Sequence, residues 1–382
     1  MKKILISVLG SALLLLFSTH SHAISELVPA APKLKAKSWL LMDYNSGRFL
    51  AEKDIDKRVE PASLTKIMTA YVVFYELKNG SIKLEDKVKI SEKAWRMKGS
   101  RMFVEVNSLV TVEKLLMGLI VQSGNDATIA LAEHTAGNEE AFVSLMNKHA
   151  ANLGLVNTNF VNSTGWPDKN HYTTVRDLAL LAKALIRDFQ AYYPWFSVKE
   201  YTYNIKKAQR NRNLLLWQDE RVDGIKTGHT DAAGYCLVAS ARINGMRLIS
   251  IVMGASSEHN RAKESRKLLS YGFRFFETFA FHPEDKPVTE VRLWKGESDL
   301  LPLGLNETLF VTTPRGMRDK VRTQLDLPEK ITAPVVQGKH YGTLNIKLGN
   351  KVIASRPLVA MQSIGSGGVW SRFIDNILLL FN

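Results

Sequence analysis

An exported chain that cannot form a disulfide must be held together by its core alone, and this sequence imposes that constraint first. Lys2 and Lys3 precede an apolar stretch from Ile4 to Leu16, and Ser21, His22 and Ala23 place small residues at the −3 and −1 positions of a cleavage site. This is the pattern of a secretory signal peptide over residues 1–23, its apolar stretch well short of the ~20 residues that cross a bilayer. Export normally goes with disulfides, yet Cys236 is the only cysteine. It lies in the apolar run Gly234 to Ala239, where it reads as a small buried hydrophobe without the partners of a metal site. The 382 residues, 45% of them hydrophobic, suffice for a sizeable core, in two domains or in one large domain with an appendage.

The formal net charge is +14, and loss of Lys2 and Lys3 with the signal leaves about +12. Such an excess suits anionic partners. Export argues against nucleic acid, as does the lack of zinc-finger spacing, an RNA-binding signature or a dense basic run. An anionic membrane or cell-wall surface fits better, with plain solubility as the alternative. No metal cluster, Gly-rich phosphate loop or nucleotide motif supports a cofactor, and none is expected.

Ser38 to Asp43 and Arg48 to Glu52 read as a hairpin around Asn45, Ser46 and Gly47. Leu64 to Leu77, Val112 to Val121 and Thr174 to Ile186 carry apolar residues at helical spacing. Tyr235 to Arg242 and Arg247 to Met253 form a second hairpin across Asn244 and Gly245. Strands at both ends with helices between suggest one antiparallel sheet covered by helices, an α+β domain over residues 24–283. After Phe281, His282, Pro283 and Pro287 punctuate the chain, and short β-like runs such as Thr308 to Thr312, Gly342 to Leu348 and Lys351 to Ala354 follow. Residues 284–362 therefore read as an all-β domain. Gly365 to Gly368 suggest a flexible hinge over 363–368. In the tail, 369–382, Val369, Trp370, Phe373, Ile374, Ile377, Leu378 and Phe381 share one helical face, opposite Ser371, Arg372, Asp375 and Asn376. Such a helix would be about 21 Å long, too short for a ~30 Å hydrocarbon core, and suits the plane of a membrane surface; packing on the β domain is the alternative.

Three short strings carry chemistry. Ser63, Leu64, Thr65 and Lys66 form the only S-x-x-K. At the start of a helix Lys66 shares the face of Ser63, so its amine can reach the hydroxyl. It can act as a base only if burial or a neighbouring cation lowers its pKa, and Lys226 is the expected cation. Ser63 as a plain N-cap is the bland alternative. Ser123, Gly124 and Asn125 fall at a break between helical runs, where a serine and an amide can project together into a cleft; helix punctuation would give the same string. Lys226, Thr227 and Gly228, on an edge strand, offer a cation and a hydroxyl to a carboxylate, with Gly228 permitting close backbone approach. A solvated edge lysine is the alternative. What favours chemistry is order and spacing: S-x-N about 60 residues after S-x-x-K, and K-T-G about 100 after that.

In this order the motifs resemble those of penicillin-binding proteins and class A β-lactamases. The longer strings Val222 to Thr230, Gln122 to Ala127 and Tyr271 to Glu277 are similar to the low-molecular-mass D-alanyl-D-alanine carboxypeptidases in particular, along nearly the whole mature chain. The resemblance implies a transpeptidase-like domain, a C-terminal β domain and an amphipathic tail. It implies Ser63 as nucleophile, Lys66 as its base, and Ser123 as the proton donor to the leaving amine. Asn125 would hold the substrate amide, and Lys226 and Thr227 the terminal carboxylate. The backbone N–H groups of Ser63 and His229 would form the oxyanion hole. Arg261 and Arg212 would lie near the carboxylate side. The implied substrate is the peptidoglycan stem pentapeptide, the implied inhibitors are β-lactams, and the implied location is the periplasmic face of the cytoplasmic membrane, with peripheral attachment through 369–382.

The rivals are weaker. A class A β-lactamase would carry an acidic residue where Gly124 stands and a glutamate in the stretch Asn162 to Tyr172, which has none. A muramyl-peptide endopeptidase would lack the β domain. An inactive peptidoglycan-binding scaffold would have lost Ser63, Lys66 or Lys226.

Overall fold

The computed structural model describes residues 28–378; the signal-like stretch 1–23 and Phe381 of the tail lie outside the described residues. Five antiparallel strands make the central sheet, in the order Phe49–Lys53, Ser38–Asp43, Met246–Ala255, Gly234–Ile243, Val222–Thr230. Ser38–Asp43 is buried along its whole length. Leu40 and Met42 enter one core with Val238 and Ile251, while Trp39 and Leu41 enter another with Leu237 and Val252. The two-residue period of a strand sends alternate side chains to opposite faces, so a strand covered on both sides is apolar throughout.

Helices Lys66–Lys78, Val112–Val121, Asn125–Ala136, Glu139–Asn152 and Val175–Asp188 close the first core, and Glu258–Phe275 closes the second. Lys66–Lys78 runs through the middle, with every residue from Lys66 to Phe74 buried. A helix that is apolar nearly all round is one that others surround. Thr174 and Ser257 cap their helices, each accepting a backbone N–H from three residues on. Cys236 is buried in the sheet as its neighbours predicted.

Glu258–Phe275 passes directly into strand Phe276–His282, which pairs with Leu309–Pro314 and not with the central sheet. The all-β part thus starts ahead of the punctuation at Pro283, because strand pairing, and not local pattern, assigns Phe276–His282 to it. A six-stranded sheet completes this part, in the order Val321–Asp326, His340–Leu348, Lys351–Ala360, Leu300–Gly304, Thr289–Trp294, Ile331–Thr332. The molecule is α+β, a helix-covered antiparallel sheet followed by an all-β domain.

The expected hinge, 363–368, is tied down. Ile364 and Val335 exchange backbone bonds of 3.0 and 3.1 Å, Glu297 N donates to the Gly365 carbonyl at 3.1 Å, and Gly367 N to the Lys295 carbonyl at 2.8 Å. Glycine's backbone groups pair as readily as any others once a partner strand is present. Helix Val369–Leu378 follows at once. Asp375, expected on its solvent side, is buried and accepts from the Lys295 N–H and, at 3.2 Å, from Arg292. Asp375 is the one buried side chain among the described residues of this helix, Arg372 and Asn376 are exposed, and the apolar side faces outward, with Val369 and Trp370 81% and 79% exposed. Among the described residues no helix is long and apolar enough to cross a membrane.

Candidate active site

Ser63 stands in the 3-10 turn Ala62–Thr65 that leads into helix Lys66–Lys78. Ala62 at φ 48° and Ser123 at φ 59° have left-handed backbone, a conformation that costs about 1–3 kcal/mol outside glycine and persists only where the surroundings impose it. Two glycines let those surroundings close in. A side chain on Gly165 would run into the Ala62 carbonyl, and one on Gly228 would come within 3.1 Å of the Pro61 carbonyl. The serine turn is gripped between the 161–173 loop and the edge strand Val222–Thr230.

Lys66 is wholly buried. Its Nζ lies 3.1 Å from Ser63 Oγ, 2.7 Å from Asn125 Oδ1 and 2.7 Å from the Thr164 carbonyl. Burial, and then the Arg212 guanidinium, bring its pKa down to about 7 against an opposing pull from Asp126. Arg212 was not foreseen as a cation acting on Lys66; the repulsion expected between Lys66 and Lys226 is present as well and bears on Lys226. Lys226 is itself buried and depressed well below an ordinary lysine, by burial first and then by Lys66, Arg212 and Arg261. Its Nζ donates to Ser123 Oγ at 2.9 Å and to the Thr227 carbonyl at 3.2 Å.

Asn125 differs from expectation. Its Oδ1 accepts from Lys66 and its Nδ2 donates to the Lys98 carbonyl at 2.7 Å, so both ends of the amide are engaged within the protein and it braces Lys66. The two arginines also part company. Arg261 is buried and donates to the carbonyls of Gly228 at 3.4 Å and Arg212 at 3.1 Å, bracing the end of the edge strand. Arg212 is exposed and lines the cleft.

Ser63, Ser123, Thr227, Gly228, His229, Arg212 and Arg261 line one cleft of about 400 Å³, with Lys66, Asn125 and Lys226 behind the hydroxyls. The His229 ring is exposed there, its centroid 4.0 Å from that of Tyr235. Gly99, Ser100, Tyr235 and Glu258 also line the cleft and were not anticipated. Nor was Asp126, fully buried, which takes the N–H groups of Met102, Phe103 and Val104 at 2.9, 2.8 and 3.3 Å and holds that wall. Its position directly after Ser123, Gly124 and Asn125 was the available signal. The Thr164 carbonyl had none, since any residue type supplies one.

An amine poised near neutrality against a hydroxyl, with a second amine and hydroxyl beside it, can carry out covalent acyl transfer. A family model described as D-alanyl-D-alanine carboxypeptidase matches residues 25–257, and one described as penicillin-binding protein 5, C-terminal domain, matches 276–366. The D-alanyl-D-alanine carboxypeptidases DacC and DacA of Escherichia coli (strain K12) are 44% and 43% identical, each over 98% of this chain and 95% and 96% of their own. The structure of penicillin binding protein 5 from Haemophilus influenzae aligns with a TM-score of 0.86 at 44% identity, covering 88% of this chain and 100% of that one. Penicillin-binding protein D2 from Listeria monocytogenes, in the ampicillin-bound form, aligns at 0.59 and 30% identity over 64% of this chain and 100% of its own. The chain belongs to the D-alanyl-D-alanine carboxypeptidase family and is an enzyme of that activity.

Proposed function

We propose that this enzyme removes the terminal D-alanine of peptidoglycan stem pentapeptides through an ester on Ser63, and that β-lactams acylate the same serine. The observation that carries the reading is the set of partners around Lys66 Nζ. A neutral amine has two N–H bonds and one lone pair. Asn125 Oδ1 and the Thr164 carbonyl, both pure acceptors at 2.7 Å, take the two N–H groups, which leaves the lone pair for Ser63 Oγ at 3.1 Å. A pKa of about 7 keeps that neutral form abundant at neutral pH.

Ser63 Oγ attacks the carbonyl carbon between the two D-alanines while its proton passes to Lys66. The N–H groups of Ser63 and His229 stabilise the oxyanion. Because Lys226 donates to Ser123 Oγ, the Ser123 hydroxyl hydrogen is free to turn toward the cleft, where it protonates the leaving nitrogen as the C–N bond breaks; the proton that Lys66 took from Ser63 then replaces it on Ser123 Oγ and leaves Lys66 neutral for the next step. Thr227 and Arg212 hold the terminal carboxylate, with Lys226 behind them. Asn125 Nδ2 would exchange the Lys98 carbonyl for the substrate amide. Water then cleaves the ester and restores the Ser63 proton. The ampicillin-bound relative supports the β-lactam half of the proposal. A fluorescent penicillin should label the protein covalently, and Ser63→Ala should abolish labelling; a variant that still labels at wild-type stoichiometry would overturn the assignment of the nucleophile.

We further propose that residues 1–23 direct export and that the tail holds the mature enzyme on the periplasmic face of the cytoplasmic membrane. The outward apolar face of Val369–Leu378 and the excess of positive charge support this.

A further inference from the structure

The 161–173 loop must keep the Thr164 carbonyl on Lys66, and one buried side chain ties that loop to the serine turn. His171, 2% exposed, uses both ring nitrogens. Nδ1 accepts the Val161 N–H at 3.2 Å, which places the proton on Nε2, and Nε2 lies 2.8 Å from Thr65 Oγ1. Thr65 is the residue between Leu64 and Lys66 in the serine motif. Burial brings the His171 pKa down to about 4, so the imidazole keeps this single-proton form at neutral pH. Downstream of Val161, Asn162 Oδ1 gathers the N–H groups of Thr164, Gly165 and Trp166 at 3.2, 2.8 and 3.0 Å. That turn presents the Thr164 carbonyl to Lys66 and seats Gly165 on the Ala62 carbonyl.

We propose that His171 is a positioning residue for acylation, coupling the 161–173 loop to the serine turn so that the Thr164 carbonyl stays on Lys66. The inference rests on the Ser63 and Lys66 assignment above. If the carbonyl drifts, the amine has one fixed acceptor instead of two, and its lone pair is free to rotate away from Ser63 Oγ. A misplacement of about 1 Å in a reacting group costs up to about 100-fold in rate. His171 touches none of the groups assigned to the substrate carboxylate, so the effect belongs in the acylation rate constant and not in binding.

The test uses the mature full-length enzyme. His171→Phe keeps a ring packed edge-on against Phe160, whose centroid is 5.7 Å away, but has no ring nitrogen. Thr65→Val removes the hydroxyl at nearly constant volume. Acylation by a fluorescent penicillin is followed over a range of concentrations, which separates rate constant from binding constant, and is normalised to titratable serine, which removes any unfolded fraction. Each single variant should lose about tenfold to 100-fold in the rate constant with binding within about twofold, the double variant should be no slower than the slower single, and His171→Gln, which retains a donor, should recover part of the loss. Wild-type acylation in either single variant, or losses that multiply in the double variant, would overturn the proposal. If His171→Phe does not fold, Thr65→Val decides alone. A wild-type protein that fails to label, or a Ser63→Ala variant that labels, would instead sink the Ser63 and Lys66 assignment.

Discussion

Behind the cleft, the amines of Lys66 and Lys226 are buried; at the other end of the chain, helix Val369–Leu378 buries Asp375 and exposes Val369 and Trp370. Both regions reverse the ordinary distribution of charge and apolar surface, but the desolvation cost is answered differently. At Lys66 and Lys226 burial drives the pKa down, so the amines approach neutrality and become chemically useful. At Asp375 the cost is met by pairing, with Arg292 and the Lys295 N–H. Burial of a charged group marks chemistry where the charge is given up, and marks docking where it is matched.

The comparison breaks most sharply at Lys66. Lys66→Arg should acylate more slowly by about 1000-fold or more, because guanidinium does not deprotonate and general-base catalysis is lost. In the proposed mechanism the reactive form is the neutral amine, and its folded pKa of about 7 lies below the ordinary lysine value of 10.5. The rate should therefore climb about tenfold per pH unit below that pKa and level off above it. A flat profile from about pH 6 to about pH 10 with the fold intact rules Lys66 out as a titrating base.

Deletion of Val369 to Asn382 should have a smaller catalytic effect, with hydrolysis of a soluble peptide within about twofold, while the protein shifts from the membrane to the soluble fraction. Persistent sedimentation with membranes after signal cleavage would mean that another element anchors it. Smallest of all, Asp375→Ala leaves the apolar face intact and removes the acceptor for Arg292 and the Lys295 N–H. It should weaken tail docking by about 1–3 kcal/mol, read as faster proteolysis of 369–382 at unchanged acylation. Unchanged proteolysis would show that Asp375 is not what docks the helix.

The helices read over Leu64 to Leu77, Val112 to Val121 and Thr174 to Ile186, both hairpins and the tail's amphipathic face were legible because each is written in local periodicity; Glu139–Asn152 and Glu258–Phe275 were not anticipated. Apolar residues recur along Val175–Asp188 at helical spacing, and Asn244 with Gly245 joins two apolar strands. The motif residues were legible too, since chemistry restricts a nucleophile or a base to few residue types. The tethering of 363–368 was not, because its partners Lys295, Glu297 and Val335 are distant in sequence and bond through backbone atoms. Arg212 as a further cation near Lys66, and the closed hydrogen bonds of Asn125, depended likewise on contacts across the fold.

By itself the sequence determined which side chains are available for chemistry, Ser63, Lys66, Ser123, Asn125 and Lys226, since their identity, order and spacing are properties of the chain. It determined as well that the core must hold the protein, with Cys236 alone and unable to pair with another. Only the tertiary structure decided the state in which those side chains meet. In the proposed mechanism the Lys66 lone pair faces Ser63 because the carbonyl of Thr164, 98 residues away, accepts one of its N–H groups, and the tail's apolar side faces outward because Arg292 and the Lys295 N–H hold Asp375. Backbone carbonyls, N–H groups and solvent exclusion act in these places, and none of them is tied to a residue type, so no string of letters specifies them.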